Sequence, residues 1–377
     1  MKVAYVLKSF PKNSETFIHE EIYQLIKQGV EVKIFSLVNC SKEKKHKKVI
    51  EILKKAKLVN GYFNPFCSIN NLIYAPELLL NIPELFFRVD IQRLLKDIKE
   101  FNPDIIHTHF IWERAELVSF LSNKLNKPFT VTCHAKDIYI PNKRRIKLIG
   151  IKAKKIITIS NYNKKLLFKL GVPENNIEVI HCGVDLNDFT LAKDPNNSRI
   201  QLLSVGRFVE KKGFLYLLKA TKLMTQKNIN FELRIIGSGP LSKSLIKFVK
   251  NNNLSKNVLF LGQLIDKEVI KEIANCDYFV LPCVRDKTGD IDGIPVVLME
   301  AMARGKTVIS TRLTGIPELI DDKVNGYLIE PNNEKAIAEL IGINVKKLNP
   351  KIVRDKIEKE FNSKLNVGKI VEVWSEK

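Results

Sequence analysis

An α/β fold of two doubly wound parallel sheets is predicted for this chain by three observations. Strand-like apolar runs alternate with helix-period segments from end to end, the alternation restarts near residue 200 after a polar stretch, and 377 residues suit two domains better than one. The first strand is read at residues 2–7 (KVAYVL), followed by a helix over Glu20–Gln28 that Gly29 closes and a second strand at residues 30–37 (VEVKIFSL). Further strands are expected at Ile105–His107, Phe129–Thr132, Lys155–Ile159 and Ile177–Ile180. The polar stretch Lys193–Ser198 reads as a linker. Beyond it a second set of strands is expected at Ile200–Val205, Glu232–Ile236, Val258–Leu261, Tyr278–Leu281 and Thr307–Ser310. The domains are therefore placed at 1–190 and 191–350, with a helical segment 351–377 that packs back on the first domain.

Composition narrows the function classes. A hydrophobic content of 45% supports a large core, so overall disorder is excluded. There is no run of 18 uninterrupted apolar residues, and the Met1–Leu7 start is too short for a secretory signal, so a cytoplasmic protein is expected. Six cysteines at 40, 67, 133, 182, 276 and 283 show neither metal-site nor disulfide spacing and read as reduced, buried residues. The net charge of +21 is spread over both halves, with 31 Lys and Arg against 19 Asp and Glu in residues 1–190. It is densest in Lys42–Lys57 and Lys143–Lys155, where clustered cations attract anionic lipid by roughly 1 kcal/mol each; a solvated basic face is the competing reading. The apolar stretch Ile69–Val89 is interrupted by Pro76 and Pro83 and cannot span a bilayer; it is read either as domain core or as a surface lying on a membrane.

Ligands of doubly wound sheets collect at the carboxyl ends of strands, where loops and helix N-termini present N–H groups to anions. Three such loops stand out in the second half. In Ser204–Gly213 (SVGRFVEKKG), Arg207 and Lys212 can grip a diphosphate from two sides, unless they are simply exposed cations. In Asp290–Gly305 (DIDGIPVVLMEAMARG), Asp292 and Glu300 bracket the turn Gly293-Ile294-Pro295. Gly293 permits close backbone approach, and the N–H groups near Ile294, Val296 and Val297 suit a phosphate or sugar oxygen. Glu300 is also explicable as a cap or an ion-paired acid. Gly237, in Ile235–Leu241 (IIGSGPL), reads as a tight turn beside a base or ribose.

In the first half, Ser14, Glu15 and Thr16 link the first strand to the first helix, where they can cap it or meet a phosphate or an acceptor. His107 and His109 alternate on a strand end, but no nearby acid or cysteine array completes a metal site in the sequence, so no metal is expected. His134 follows another strand and is expected to face the interdomain cleft.

Taken in order, PxxSETF, HTHF at 107–110, CHAKDIY at 133–139, HCGVD at 181–185, GRFVEKKG, GSGPL, FLGQL at 260–264 and DGIPVVLMEAMARG resemble the family-4 glycosyltransferases. Within them, the likeness is to the colanic-acid and amylovoran type exopolysaccharide galactosyltransferases. The resemblance implies a GT-B fold, two Rossmann-like domains facing a cleft. It also implies retaining, metal-independent transfer of a hexose from a nucleotide-diphosphate sugar, a UDP-sugar being favoured, to a growing, lipid-linked cell-surface saccharide. Arg207 and Lys212 would then hold the diphosphate, Glu300 the ribose and Leu264 the base. Asp292 with the Gly293, Ile294, Pro295, Val296 and Val297 backbone would hold the donor sugar, contacted by His134 from the opposite domain. The family's paired glutamates, separated by seven residues, are here Asp292 and Glu300, one methylene shorter at the first. No cofactor is implied, and the partners are the nucleotide sugar, the saccharide acceptor and an anionic membrane surface. A sugar-nucleotide epimerase of the same fold is the rival enzyme. A basic nucleic-acid-binding protein is the rival from another class, but no helix-turn-helix, RNP or zinc-finger pattern accompanies the charge.

Overall fold

The computed structural model describes residues 1–12, 14–39, 47–64, 68–75, 77–82, 85, 87–140, 142–193, 197–343 and 345–376. The chain divides into two units, Met1–Cys182 with Ser363–Lys377, and Gly183–Asn362.

The first unit is built on seven parallel strands: β1 (Lys2–Phe10), β2 (Glu31–Asn39), β3 (Lys57–Asn60), β4 (Ile105–His109), β5 (Phe129–Cys133), β6 (Lys155–Thr158) and β7 (Ile177–Val179), in the order β3-β2-β1-β4-β5-β6-β7. Both faces of the sheet are covered, which is why its strands are apolar at nearly every position. Side-chain alternation sends Ala4 and Val6 of β1 into one core with Phe35, Ile106 and Val131, and Val3, Tyr5 and Leu7 into the other with Ile18, Ile22 and Leu25. The register sets Val3 opposite Ile105 and Tyr5 opposite His107.

The second unit holds six parallel strands: β8 (Ile200–Val205), β9 (Phe231–Ile236), β10 (Val258–Gly262), β11 (Tyr278–Leu281), β12 (Thr307–Thr311) and β13 (Tyr327–Ile329), in the order β10-β9-β8-β11-β12-β13. Leu202, Leu233, Ile235, Tyr278, Val280 and Ile309 form its core with helices on the sheet. The order reverses direction between β8 and β11, and that switch point is where a crevice opens beyond the strand ends of such a sheet.

Two short strands at sheet edges, β3 and β13, are not among the expected strands. The division between the units falls after Cys182, ahead of the expected residue 190. The expected 351–377 segment is split: the helix Pro350–Glu360 stays with the second unit and packs on the helix Val296–Ala303, and only the helix Ser363–Ser375 returns to the first. Val367, Ile370, Val373 and Trp374 bury against the β1 face there, and the Trp374 indole donates to Thr130 Oγ1 at 2.9 Å. The break follows Glu360, where Phe361 is fully buried and its carbonyl accepts from Val184 N–H at 2.9 Å.

The basic clusters are less free than their sequence suggests. Residues 42–46 of the first cluster, like 194–196 of the linker, lie outside the described residues. Lys48 turns inward and pairs with Glu20 at 2.6 Å, while Lys154 ties the C-terminal helix by donating to Trp374 O at 2.9 Å. In the apolar stretch 69–89, Ala75, Leu78, Ile82 and Val89 are core, whereas Leu72, Ile73 and Phe87 are exposed. Among the described residues no helix is long and apolar enough to cross a membrane.

Candidate active site

The loops singled out in the second half leave the carboxyl ends of neighbouring strands, so sheet order brings them together. The loop after β8 carries Arg207 and Lys212, and backbone bonds tie it to both sides. Phe208 N–H donates to Ser238 O at 2.9 Å, and Val284 N–H donates to Lys211 O at 2.9 Å. Gly237, with φ of 138°, sits where an added Cβ would lie 1.9 Å from Gly206 O, so glycine is required by the approach of the two loops. Gly237 N–H in turn donates to Gly262 O at 2.8 Å, which puts the β10 loop and half-buried Leu264 next in line.

Asp292 is the electrostatic centre of this end of the sheet. Its carboxylate meets Lys212 Nζ at 2.7 Å and Lys211 Nζ at 3.1 Å, with Lys211 also 3.2 Å from Asp290. Burial pushes the Asp292 carboxyl up, but Lys212 and then Lys211 outweigh it and hold the group below the usual carboxylate range. Burial likewise works against the charge on Lys212, and Asp292 more than restores it. The Asp292 and Gly293 carbonyls are held by the Thr314 hydroxyl at 2.7 and 2.8 Å. Pro295 then starts the helix Val296–Ala303 without a side-chain cap. The first N–H groups of a helix have no carbonyl partner within it, so Val296 and Val297 point donors and a positive dipole end out of this turn. Glu300 is half-buried on the same helix, and Arg207 is exposed on its loop.

His134 belongs to the first unit, at the end of β5. Its Nε2 lies 2.9 Å from His109 Nδ1, its ring is 4.3 Å from that of Phe17, and its carbonyl accepts from Asn163 Nδ2 at 2.6 Å. Burial holds its imidazole well below the ordinary histidine range, with His109 acting in the same direction. Asp137 braces the turn by accepting from the N–H groups of His134, Ala135 and Ile111 at 3.0–3.1 Å.

Two expectations are corrected here. Neither Ser14 nor Thr16 caps the first helix: it runs Thr16–Lys27, its cap position is Glu15, which makes no side-chain cap hydrogen bond, and the Glu15 carboxylate is taken by Lys12. The acid thought to be missing near His107 and His109 exists. Glu21 comes from that helix, its Oε1 lying 3.1 Å from His109 Nε2 and 3.7 Å from His107 Nε2, so the three present ligand atoms close enough to hold a metal ion. Burial pushes Glu21 up, but His109 foremost, then His107 and the Tyr5 hydroxyl, bring it down to about 2. Glu21 had a sequence signal, for it shares the apolar face of Ile18, Ile22 and Leu25. Lys211 had none that set it apart from its neighbour Lys212.

Two doubly wound units of this strand order form the architecture of GT-B glycosyltransferases. The chain shares it with HepE of Anabaena, solved in complex with UDP, at a TM-score of 0.76 and 17% identity over the whole of both chains. The family model for Glycosyl transferases group 1 matches residues 189–349, and that for Glycosyltransferase Family 4 matches residues 14–188. An uncharacterized glycosyltransferase of Methanocaldococcus jannaschii is 30% identical over 78% of this chain and 82% of its own. A putative colanic acid biosynthesis glycosyltransferase, WcaL of Escherichia coli K12, is 27% identical over 97% of both. The chain belongs to glycosyltransferase family 4 and is an enzyme of that class.

Proposed function

We propose that the enzyme transfers a hexose, with retention and without a metal ion, from a UDP-sugar to a lipid-linked saccharide during exopolysaccharide synthesis. The observation that carries this reading is the convergence of the Arg207–Lys212 loop, Asp292 and the Val296 helix start at one switch point. A diphosphate needs cations and backbone donors together, and this end of the sheet supplies both. Arg207 and Lys212 bind the diphosphate, and Lys212 exchanges its Asp292 partner for a phosphate oxygen as the donor enters. Glu300 takes the ribose hydroxyls, with Gly237 and Leu264 beside the base. Asp292, Gly293, Ile294, Pro295, Val296 and Val297 surround the sugar, and His134 is assigned to the same sugar. Ser14, Glu15 and Thr16 are assigned to the acceptor. The leaving phosphate accepts the acceptor's proton on the face from which it departs, so no side-chain base is required.

A peripheral membrane position at the cytoplasmic face is supported by the helix Lys143–Lys152. It buries Ile146 and Ile149 and exposes Leu148 and Ile151 among Lys143, Arg144, Lys147 and Lys152. The donor assignment is tested by thermal-shift screening against UDP, GDP, ADP and their hexose conjugates. At 100 times its Kd, a cognate donor stabilises the fold by about 2.7 kcal/mol. A screen in which no nucleotide or sugar nucleotide shifts the melting curve overturns the reading. NMR of the product anomer tests retention, and turnover in a chelator tests metal independence.

A further inference from the structure

We propose that Glu21 is a positioning residue that works through His109 to place the proton of His134 on Nε2, leaving Nδ1 of His134 to accept a hydrogen bond from a donor-sugar hydroxyl. The inference rests on the assignment of His134 to the donor sugar.

An ionised carboxylate only accepts, and Glu21 Oε1 receives the Tyr5 hydroxyl at 2.6 Å and faces His109 Nε2 at 3.1 Å. His109 therefore carries a proton on Nε2; in the neutral ring its Nδ1 is bare, whereas an imidazolium would donate from Nδ1 and give His134 the opposite tautomer. The atom 2.9 Å from that bare nitrogen is His134 Nε2, which must bring the proton to the contact. One carboxylate has then set the tautomers of two rings in series. Among the described residues nothing hydrogen-bonds Nδ1 of His134, and the residue keeps 6% of its surface exposed beside the rings of Phe17 and Phe110. What reaches the surface is a lone pair suited to a hydroxyl donor. Thr130 Oγ1 accepts the Trp374 indole N–H at 2.9 Å and meets His107 Nδ1 at 2.7 Å, while His107 Nε2 meets Thr132 Oγ1 at 3.3 Å; each hydroxyl can donate or accept, so the tautomer of His107 is left open by these contacts.

A metal ion held by Glu21, His107 and His109 would give the opposite result. It would occupy His109 Nε2, force the proton to Nδ1, and make that nitrogen donate to His134 Nε2, so that His134 would expose Nδ1–H. Two ligand atoms of one tetrahedral ion lie about 3.3 Å apart, so the 3.1 Å between Glu21 Oε1 and His109 Nε2 suits either arrangement, and the proton and metal assays decide between them.

The test is long-range nitrogen–proton NMR of histidine-labelled protein, with metal content measured on the same sample. The expected spectrum shows pyrrole-like Nε2 and pyridine-like Nδ1 at His134, with no stoichiometric metal; pyrrole-like Nδ1 or a full equivalent of zinc overturns the assignment without any substitution. Glu21→Gln keeps the shape but offers both an acceptor and a donor, so the single tautomer should be lost. The KM for UDP-glucose or UDP-galactose, whichever the enzyme turns over, should then rise about tenfold, the worth of one hydrogen bond. Binding of free UDP, which has no sugar, should be unchanged. An unaltered His134 spectrum and KM in this variant refute the relay. Wild-type protein that binds neither UDP nor a UDP-sugar refutes the ligand named here, whereas the NMR result judges the tautomer separately.

Discussion

Replacing Asp292 by asparagine should weaken the free protein and strengthen its response to a nucleoside diphosphate. In the free protein the carboxylate neutralises two ammonium groups, Lys212 at 2.7 Å and Lys211 at 3.1 Å, of which, among the described residues, only Lys211 has a second acid, Asp290. Removing one partner of a fully buried pair costs about 3–5 kcal/mol. Here the Asp292, Lys212 and Lys211 side chains keep 13%, 17% and 21% of their surface, so water recovers part of that and about 2 kcal/mol is expected. For a unit the size of Gly183–Asn362 this lowers the melting temperature by about 4–8 °C. Saturating UDP brings phosphate oxygens to the orphaned Lys212 and its neighbour Lys211, and no longer competes with Asp292 for Lys212. The UDP-induced shift in D292N should therefore exceed that of the wild type, while sugar transfer falls because the carboxylate no longer orients the sugar. The assay is scanning fluorimetry of both proteins across a UDP titration, with turnover measured alongside. A variant as stable as the wild type, or one whose UDP shift is smaller, would refute the idea that this ion pair guards the phosphate site.

Four further outcomes follow from the same geometry. Arg207→Ala should remove most of the nucleotide-dependent thermal shift, since Arg207 is exposed and contributes little to the free fold; a full shift in that variant shows the diphosphate assignment to be wrong. Gly237→Ala should destabilise the second unit by about 3 kcal/mol, because φ is 138° and the added carbon would meet Gly206 O, whereas Gly262→Ala has open space and only the strain of φ 70°; equal losses in chemical denaturation would contradict this. His107, held down to about 3 by burial first and His109 second, stays neutral in the fold while the unfolded chain protonates below about 6.5. The unfolded state then binds the extra proton, so stability should fall by about 1.4 kcal/mol per pH unit as pH drops from 6.5 towards 3; a flat profile over that window by circular dichroism would refute a buried neutral His107. Vesicles containing anionic lipid should carry the protein in flotation more than neutral ones, and equal flotation would remove the electrostatic part of the membrane proposal.

The parallel two-sheet fold was legible because strands buried on both faces are apolar throughout, and the linker and glycine turns separate them by local chemistry alone. That Arg207, Lys212, Gly237 and Asp292 lie in the turns beyond strand ends, with Glu300 on the helix that follows, was legible too, because glycine turns end each apolar run. The tertiary structure decided who partners whom. Sheet order brings the loop after β8 beside the loop after β11, and only that neighbourhood shows Asp292 bound to Lys211 and Lys212. Glu21 reaches His109, which is 88 positions away in sequence, because the helix Thr16–Lys27 lies across β1 and β4. Lys48 and Lys154 read as surface charge until the fold turns them onto Glu20 and the C-terminal helix. Local propensity and loop chemistry act over a few residues and are written in the chain itself, whereas a pairing of distant charges depends on which strand ends become neighbours, and only the folded sheet determines that.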